Sequence, residues 1–390
     1  MTTEHVCIPW FWAACAALMA QDDPACAFGE HLLEGNAQLT NRILKFAKEA
    51  HRLDHTLTPV WATQNTVTLE LSTMQLRDFS HGSKRGLPVI IDAPYAGHSS
   101  TIADYSAEQS LVRTLQANGL DRVYVTDWKS ATEAMKDFTI DTYLEDLNNA
   151  VEHLGGKAHL IGLCQGGWLS AAFAARFPGK VETLVLAGSP MDTSAGKGMV
   201  KDLAHTLPIE FYRELVAMGG GRLLGKFMLS GWKSMHPTEQ YIKKYFDLFE
   251  NIEDKEYLKR AEDFSRWYES AYDLPGPYYL QAVEWLFKEN RLAKGQFVAL
   301  GETISLKNIT IPVYMLSGEA DDITPPDQVF RAEDLVGTPK HNTAKKLVPG
   351  GHIGLFMGRK TLDTAWPEIS AWVLAHSEKK AAGHKRNRNH

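Results

Sequence analysis

Cysteine is scarce in this chain. Its 390 residues contain four: Cys7, Cys15, Cys26 and Cys164. Three of them crowd the N-terminus and the fourth stands alone. That is neither a disulfide framework nor a C-x-x-C metal pattern, and it suits a reducing compartment. Basic charge is lacking as well. The formal net charge is -6, which counts against a nucleic-acid binder that works through bulk positive charge. Long hydrophobic runs are missing too. The longest, Cys7 to Ala20, falls short of the ~20 residues needed to cross a bilayer. No Lys or Arg precedes it, so it lacks the flank of a secretory signal. It reads as a buried N-terminal helix, with Trp10, Phe11 and Trp12 leaving open a surface anchor for a lipid or polymer phase. There is no P-loop, no dinucleotide fingerprint and no metal-ligand spacing, so no cofactor or metal is expected.

What is present is a globular composition, 44% apolar and 23% charged, enough to bury a sizeable core. Residues 1–60 read as helical, with Ile43, Phe46, Ala47, Ala50 and Leu53 on one face. Val67, Leu69 and Leu71, then Met74 and Leu76, suggest two short strands or a hairpin. A strand–helix rhythm follows. Strands are expected at 87–91, 123–125, 158–163 and 181–187. Helices are expected at 106–118, at 140–154 with Thr139 as N-cap, and at 165–177. This alternation predicts an α/β fold: a mostly parallel sheet with helices on both faces. The rhythm breaks after Pro190. Residues 192–305 look helical, aromatic and free of strands, as an inserted lid would. Strands at 311–316 and 346–348 and a helix at 361–374 complete the pattern. The expected organisation is a helical leader over 1–60, a first core half over 61–191, a lid over 192–305, a second core half over 306–376, and a disordered basic tail over 377–390.

The most informative stretch is Gly162-Leu163-Cys164-Gln165-Gly166-Gly167, between an apolar strand and a helix. G-x-S-x-G in that context is the nucleophile elbow of the α/β-hydrolase fold. The turn is so tight that the nucleophile is strained, and its neighbours two positions away must be Gly. The helix N-terminus beyond it favours negative charge and a lowered thiol pKa. The backbone N–H of Gln165 should face a developing oxyanion. In this fold the partners follow in the order acid, then histidine. His352, in a loop past the last strand, is the candidate base, and Asp321 or Asp322, after the 311–318 strand, the candidate acid. His98 precedes the nucleophile and His159 lies inside a strand, so both are poorer candidates. The loop at Tyr95 and Ala96 is the candidate source of the second oxyanion N–H.

With these residues in view, the chain resembles the polyhydroxyalkanoate synthases, the cysteine-dependent branch of the α/β-hydrolase superfamily. Gly162–Gly167 resembles their modified lipase box, and Ser110–Arg113 with Val123–Trp128 the helix and strand before it. Leu274–Pro277 with Glu289-Asn290 resembles their lid segment. Ile311–Tyr314 with Asp321, and Gly351–Gly354, are similar to the acid and histidine motifs. The resemblance implies that Cys164 carries an acyl chain as a thioester, that His352 activates Cys164, and that Asp321 is the acid. It implies a 3-hydroxyacyl-CoA substrate, with coenzyme A entering only as that thioester, and acyl transfer to a 3-hydroxyl. The expected setting is cytoplasmic, at a polymer-granule surface or with a partner subunit, and a homodimer is the expected assembly. Two stretches depart from the family. Asp92–Ser100 replaces an Asn-Arg-Pro-Tyr type loop, and Trp267-Tyr268-Glu269-Ser270 replaces a Trp-Asn-x-Asp lid motif. A relative that admits water would use the same triad as a polyester depolymerase, esterase or thioesterase, and a granule scaffold is the non-catalytic alternative.

Overall fold

The computed structural model describes residues 37–81 and 86–386. The apolar run from Cys7 to Ala20, the aromatic trio Trp10, Phe11 and Trp12, and the three N-terminal cysteines lie outside the described residues. So do the last four positions of the chain.

The described chain divides into two compact units, one of residues up to Thr58 with 232–269, the other of residues 59–231 with 270–390. In the smaller unit, α1 (Ala37–His55) turns Phe46 and Leu53 inward at helical spacing. Leu248 and Ile252 complete that core, and the Phe46 and Phe249 rings meet edge-on at 5.6 Å. Lys244 bridges Asp54 at 2.7 Å and Glu269 at 2.6 Å.

The larger unit is built on an eight-stranded sheet. Its strands are β1 (Thr66–Glu70), β2 (Met74–Asp78), β3 (Val89–Asp92), β4 (Val123–Trp128), β5 (Ala158–Leu163), β6 (Val181–Ala187), β7 (Val313–Gly318) and β8 (Thr343–Val348). Their order across the sheet is β1-β2-β4-β3-β5-β6-β7-β8. Only β1 with β2 and β2 with β4 pair antiparallel; the remaining pairs run parallel. The central strands β3, β5, β6 and β7 are buried along their whole length. Burial on both faces explains why they read as continuous apolar runs rather than alternating ones. The helices that alternate with the strands are α2 (Leu111–Ala117), α3 (Ile140–His153) and α4 (Gln165–Arg176). Ser110 caps α2 through its hydroxyl, which accepts the Arg113 N–H.

Between β6 and β7 the chain is mostly helical. It includes α5 (Met199–Thr206), α6 (Ile209–Met218), α7 (Lys244–Glu250), α8 (Lys255–Tyr268) and α9 (Gly276–Gln281). This stretch is not strand-free, as the sequence had suggested. Arg222–Leu223 pairs with Leu274–Pro275, and Phe297–Ala299 pairs with Glu302–Ile304. Pairs of two or three residues are too short to show a period of two, so the pattern hides them. The chain closes with α10 (Gly354–Met357) and α11 (Arg359–Arg386). α11 stays helical well past Leu374, where the apolar pattern stops, and into the stretch expected to be a disordered tail. No described helix is long and apolar enough to cross a membrane.

Candidate active site

Cys164 sits between the end of β5 and the start of α4 with φ 49° and ψ -113°. Positive φ is costly for a residue with a side chain, and such strain persists only where the surroundings enforce it. Here they do. The Cys164 N–H donates to the Ala187 carbonyl at the end of β6 at 2.8 Å. The neighbouring glycines have no room to be anything else. A Cβ on Gly162 would lie 2.3 Å from the Gly167 Cα, and one on Gly166 would lie 2.0 Å from the Asp92 carbonyl oxygen. Gly167 is equally confined, since a Cβ there would fall 1.7 Å from Ser189 Oγ. Cys164 is the one free cysteine among the described residues, and it is buried with only 9% of its surface exposed.

His352 and Asp321 are brought together from the ends of β8 and β7. Asp321 Oδ2 accepts from His352 Nδ1 at 2.8 Å, and both side chains are buried. The other carboxylate oxygen of Asp321 accepts the backbone N–H groups of Ile323 at 3.1 Å and Thr324 at 2.8 Å. It is Asp321, not Asp322, whose carboxylate holds the imidazole. With Nδ1 committed to Asp321, Nε2 is the nitrogen left for the hydrogen bond that joins the ring to Cys164. Burial works to lower the His352 pKa. The charges of Cys164 and Asp321 and the hydrogen bonds to both outweigh it, and the imidazole is held well above its ordinary 6.5. Gly188, with φ 56°, lies beneath this ring: a Cβ there would come within 3.1 Å of His352 Cε1. Phe356 meets the imidazole edge-on at 5.3 Å. Neither Gly188 nor Phe356 carried a signal in the sequence, because their roles depend on a neighbour distant along the chain.

Gln165 opens α4, where the first N–H groups of a helix have no partner within it. Its side-chain oxygen accepts the indole N–H of Trp168. The loop holding Tyr95 and Ala96 follows β3 and is carried to the elbow by the contact between Asp92 and Gly166. Tyr95 turns its hydroxyl away into the protein, donating to the carbonyls of Lys129 at 3.0 Å and Asp273 at 3.2 Å. Its backbone is thereby fixed while its side chain is spent on packing. The Tyr272 N–H donates to the Gly97 carbonyl at 2.8 Å, so a residue of the stretch between β6 and β7 holds this loop too.

A second buried carboxyl underlies the site. Asp92, at the end of β3, accepts the Ser170 hydroxyl at 2.8 Å and the Thr126 hydroxyl at 3.2 Å. Burial raises its pKa to about 7, against the lowering effect of its hydrogen-bond donors. His159 has other partners. It lies inside β5 between Thr183 and Ser377, at 2.8 Å from each hydroxyl, and burial lowers its pKa to about 4. Among the described residues no cluster of three or more His, Cys, Asp or Glu could hold a metal ion.

Comparison with known proteins bears on the family and the fold. The family described as "Protein of unknown function (DUF3141)" matches residues 27–343. Poly(3-hydroxyalkanoate) polymerase subunit PhaC of Haloferax mediterranei is 29% identical over 74% of this chain and 58% of its own length. The same-named subunit of Allochromatium vinosum is 26% identical over 73% of this chain and 78% of its own. The chain thus spans little more than half of the haloarchaeal relative. Among solved structures, a Paleococcus ferrophilus monoacylglycerol lipase aligns with TM-score 0.51 at 18% identity, covering 78% of this chain and 99% of that one. A carboxylesterase structure from Nitrososphaera gargenis aligns with TM-score 0.52 at 16% identity over 80% of this chain and 99% of that one. The fold is that of the α/β-hydrolases, and the sequence similarity runs to polyhydroxyalkanoate polymerases.

Proposed function

The chain belongs to the DUF3141 family, and from that footing we propose that it is a cysteine-dependent acyltransferase that forms an acyl thioester on Cys164 from 3-hydroxyacyl-CoA. The observation that carries this reading is the strained Cys164 at the head of α4, joined to a His352 that is itself held by Asp321. Similarity to polymerase subunits supports the choice of substrate.

In this reading His352 takes the thiol proton, and the thiolate attacks the carbonyl carbon of the acyl-CoA. The negative charge that develops on the carbonyl oxygen is met by the Gln165 N–H and by the backbone at Tyr95–Ala96. The carbon–sulfur bond to CoA breaks, the imidazolium returns its proton to the departing thiolate, and Cys164 holds the acyl group. In the second half, His352 takes the proton of an incoming 3-hydroxyl. That oxygen attacks the Cys164 thioester, an ester forms, and the Cys164 sulfur leaves as thiolate and recovers the proton. Asp321 fixes the ring throughout and stabilises the imidazolium formed in each half. A buried sulfur favours the transfer outcome, since water must be kept from the acyl-enzyme.

The test is incubation of the protein with 3-hydroxybutyryl-CoA. Release of CoA with insoluble polyester is the expected result. Loss of CoA release in Cys164→Ala, by roughly 10³-fold or more, is the accompanying expectation. Free 3-hydroxybutyrate without polymer would replace this reading with hydrolysis, and full activity in Cys164→Ala would end the thiol mechanism. Association with a polymer-granule surface, with a partner subunit or with a second copy is part of the same proposal. Sedimentation of the protein with newly formed polymer is its check, and protein that stays in the supernatant would count against it.

A further inference from the structure

Among the described residues, none offers the Tyr278 hydroxyl a hydrogen-bond partner. The residue is 2% exposed, and its oxygen is buried without a hydrogen bond. It lies in α9, directly after the Leu274-Pro275-Gly276-Pro277 stretch, and its backbone N–H is tied to the Phe138 carbonyl at 3.1 Å. Its ring is held on three sides. Tyr143 lies 4.5 Å away, Tyr95 meets it edge-on at 5.2 Å, and Trp168 of the elbow helix lies 6.5 Å away. Burial raises its pKa well above 10, and the charges of Tyr95, Asp92 and Cys164 add to that, so the phenol stays neutral and lies within electrostatic reach of the thiol.

Burying a hydroxyl without a partner costs stability, and an apolar ring would fill the same space without that cost. The neighbouring Tyr95 satisfies its own hydroxyl on two carbonyls. Tyr278 is therefore placed for a group that arrives with the substrate. The carbonyl oxygen of an acyl group on Cys164 is already served by backbone N–H groups at the elbow. The other oxygen a 3-hydroxyacyl group carries is its 3-hydroxyl, and a phenol can both donate to it and accept from it. We propose that the Tyr278 hydroxyl is the hydrogen-bond partner of that 3-hydroxyl and selects 3-hydroxyacyl thioesters over acyl thioesters that lack it. This rests on the acyltransferase reading above. The selection is physical: an acyl group without the hydroxyl leaves the phenol buried and unpaired in the complex.

The experiment compares CoA release from 3-hydroxybutyryl-CoA and from butyryl-CoA by the natural protein and by Tyr278→Phe. The natural protein is expected to prefer the hydroxylated thioester by about 10-fold or more in kcat/KM. Tyr278→Phe keeps the ring and its packing, so its melting temperature should equal or exceed that of the natural protein. The variant should lose about 10-fold or more on 3-hydroxybutyryl-CoA while staying within about twofold on butyryl-CoA, so that the preference collapses. Equal losses on both thioesters would overturn the proposal, because the phenol would then be serving the carbonyl oxygen or the fold. An unchanged preference would overturn it as well. If the natural protein releases CoA from neither thioester, the acyltransferase reading fails and this inference falls with it. CoA release with an unaltered ratio in the variant fails this inference alone.

Discussion

Asp321 and His352 stand 31 residues apart in sequence and 2.8 Å apart in space, with the second carboxylate oxygen of Asp321 occupied by two backbone N–H groups. The carboxylate therefore has one orientation, and through it the imidazole has one tautomer, with the proton on Nδ1. Asp321→Asn preserves the shape but sets an amide against that nitrogen. The expected outcome is a fall of about 10²–10⁴-fold in kcat/KM for CoA release with a small change in melting temperature. Asp322→Asn should lose far less. A larger loss at 322 than at 321 would reverse the assignment of the acid.

The raised pKa of His352 has a cause that can be removed. Burial pulls the value down, while the charges of Cys164 and Asp321 and the hydrogen bonds to both push it up and prevail. Cys164→Ala deletes one charge and one bond, so the imidazole of the variant should titrate at lower pH than in the natural protein. The stability linked to this group is fully present below its unfolded value of ~6.5 and is lost as pH rises through the elevated folded value. In the variant that loss should be smaller and complete at lower pH, its onset near the unfolded value being common to both proteins. Proton NMR of the His352 Cε1–H across a pH series reads the shift directly. Identical titrations in the two proteins would mean that thiol and imidazole are not coupled.

The glycines of the elbow predict a graded response to a single methyl group. Gly166→Ala would put a Cβ 2.0 Å from a backbone oxygen, and backbone cannot swing aside as a side chain can. Gly179 lies in the turn beyond the same helix, and a Cβ there would meet nothing within 4 Å. Gly166→Ala should cost about 1–3 kcal/mol or more of unfolding free energy, and Gly179→Ala should leave stability within about 0.5 kcal/mol. Urea midpoints of the two variants decide the matter. A tolerated Gly166→Ala would show that the contact between elbow and β3 is looser than described.

Much of this was legible from residue types alone, for identifiable reasons. The central strands are buried on both faces, so their apolar runs stood out. The turn at Cys164 needs glycine for steric reasons, and that need is written into the sequence as Gly162, Gly166 and Gly167. The short pairing of Arg222–Leu223 with Leu274–Pro275 was not legible, because two residues carry no period. Nor was the grouping of α1 with residues 232–269, since packing between segments that far apart leaves no local mark. Gly188 and Ser189 escaped notice for the same reason: one underlies His352 and the other confines Gly167, and both relations exist only after the sheet has formed. Asp92 stood out in the sequence only as the first residue of a stretch that departs from the family pattern. Its meaning comes from burial against Ser170 and Thr126, which no linear pattern reveals.

Asp92 yields a prediction about stability rather than turnover. Its carboxyl has an ordinary value of 3.8 and is raised by burial to about 7, its hydrogen-bond donors only partly opposing the shift. Between those two values the folded protein keeps a proton that the unfolded chain has released. Stability therefore falls as pH rises from about 4 to about 7, then levels off, and the carboxylate stays charged and buried above that range. Asp92→Asn cannot ionise, and Ser170 and Thr126 can still supply hydrogen-bond partners to the amide. The difference in unfolding free energy between Asp92→Asn and the natural protein should move in favour of the variant on going from pH 4 to pH 8. Its size should be of the order of a few kcal/mol. Denaturant unfolding of both proteins at pH 4, 6 and 8 measures that difference. A gap that stays constant across the series would mean that Asp92 is ionised in the folded protein at every pH tested, and that its neighbours stabilise the charge more than burial opposes it.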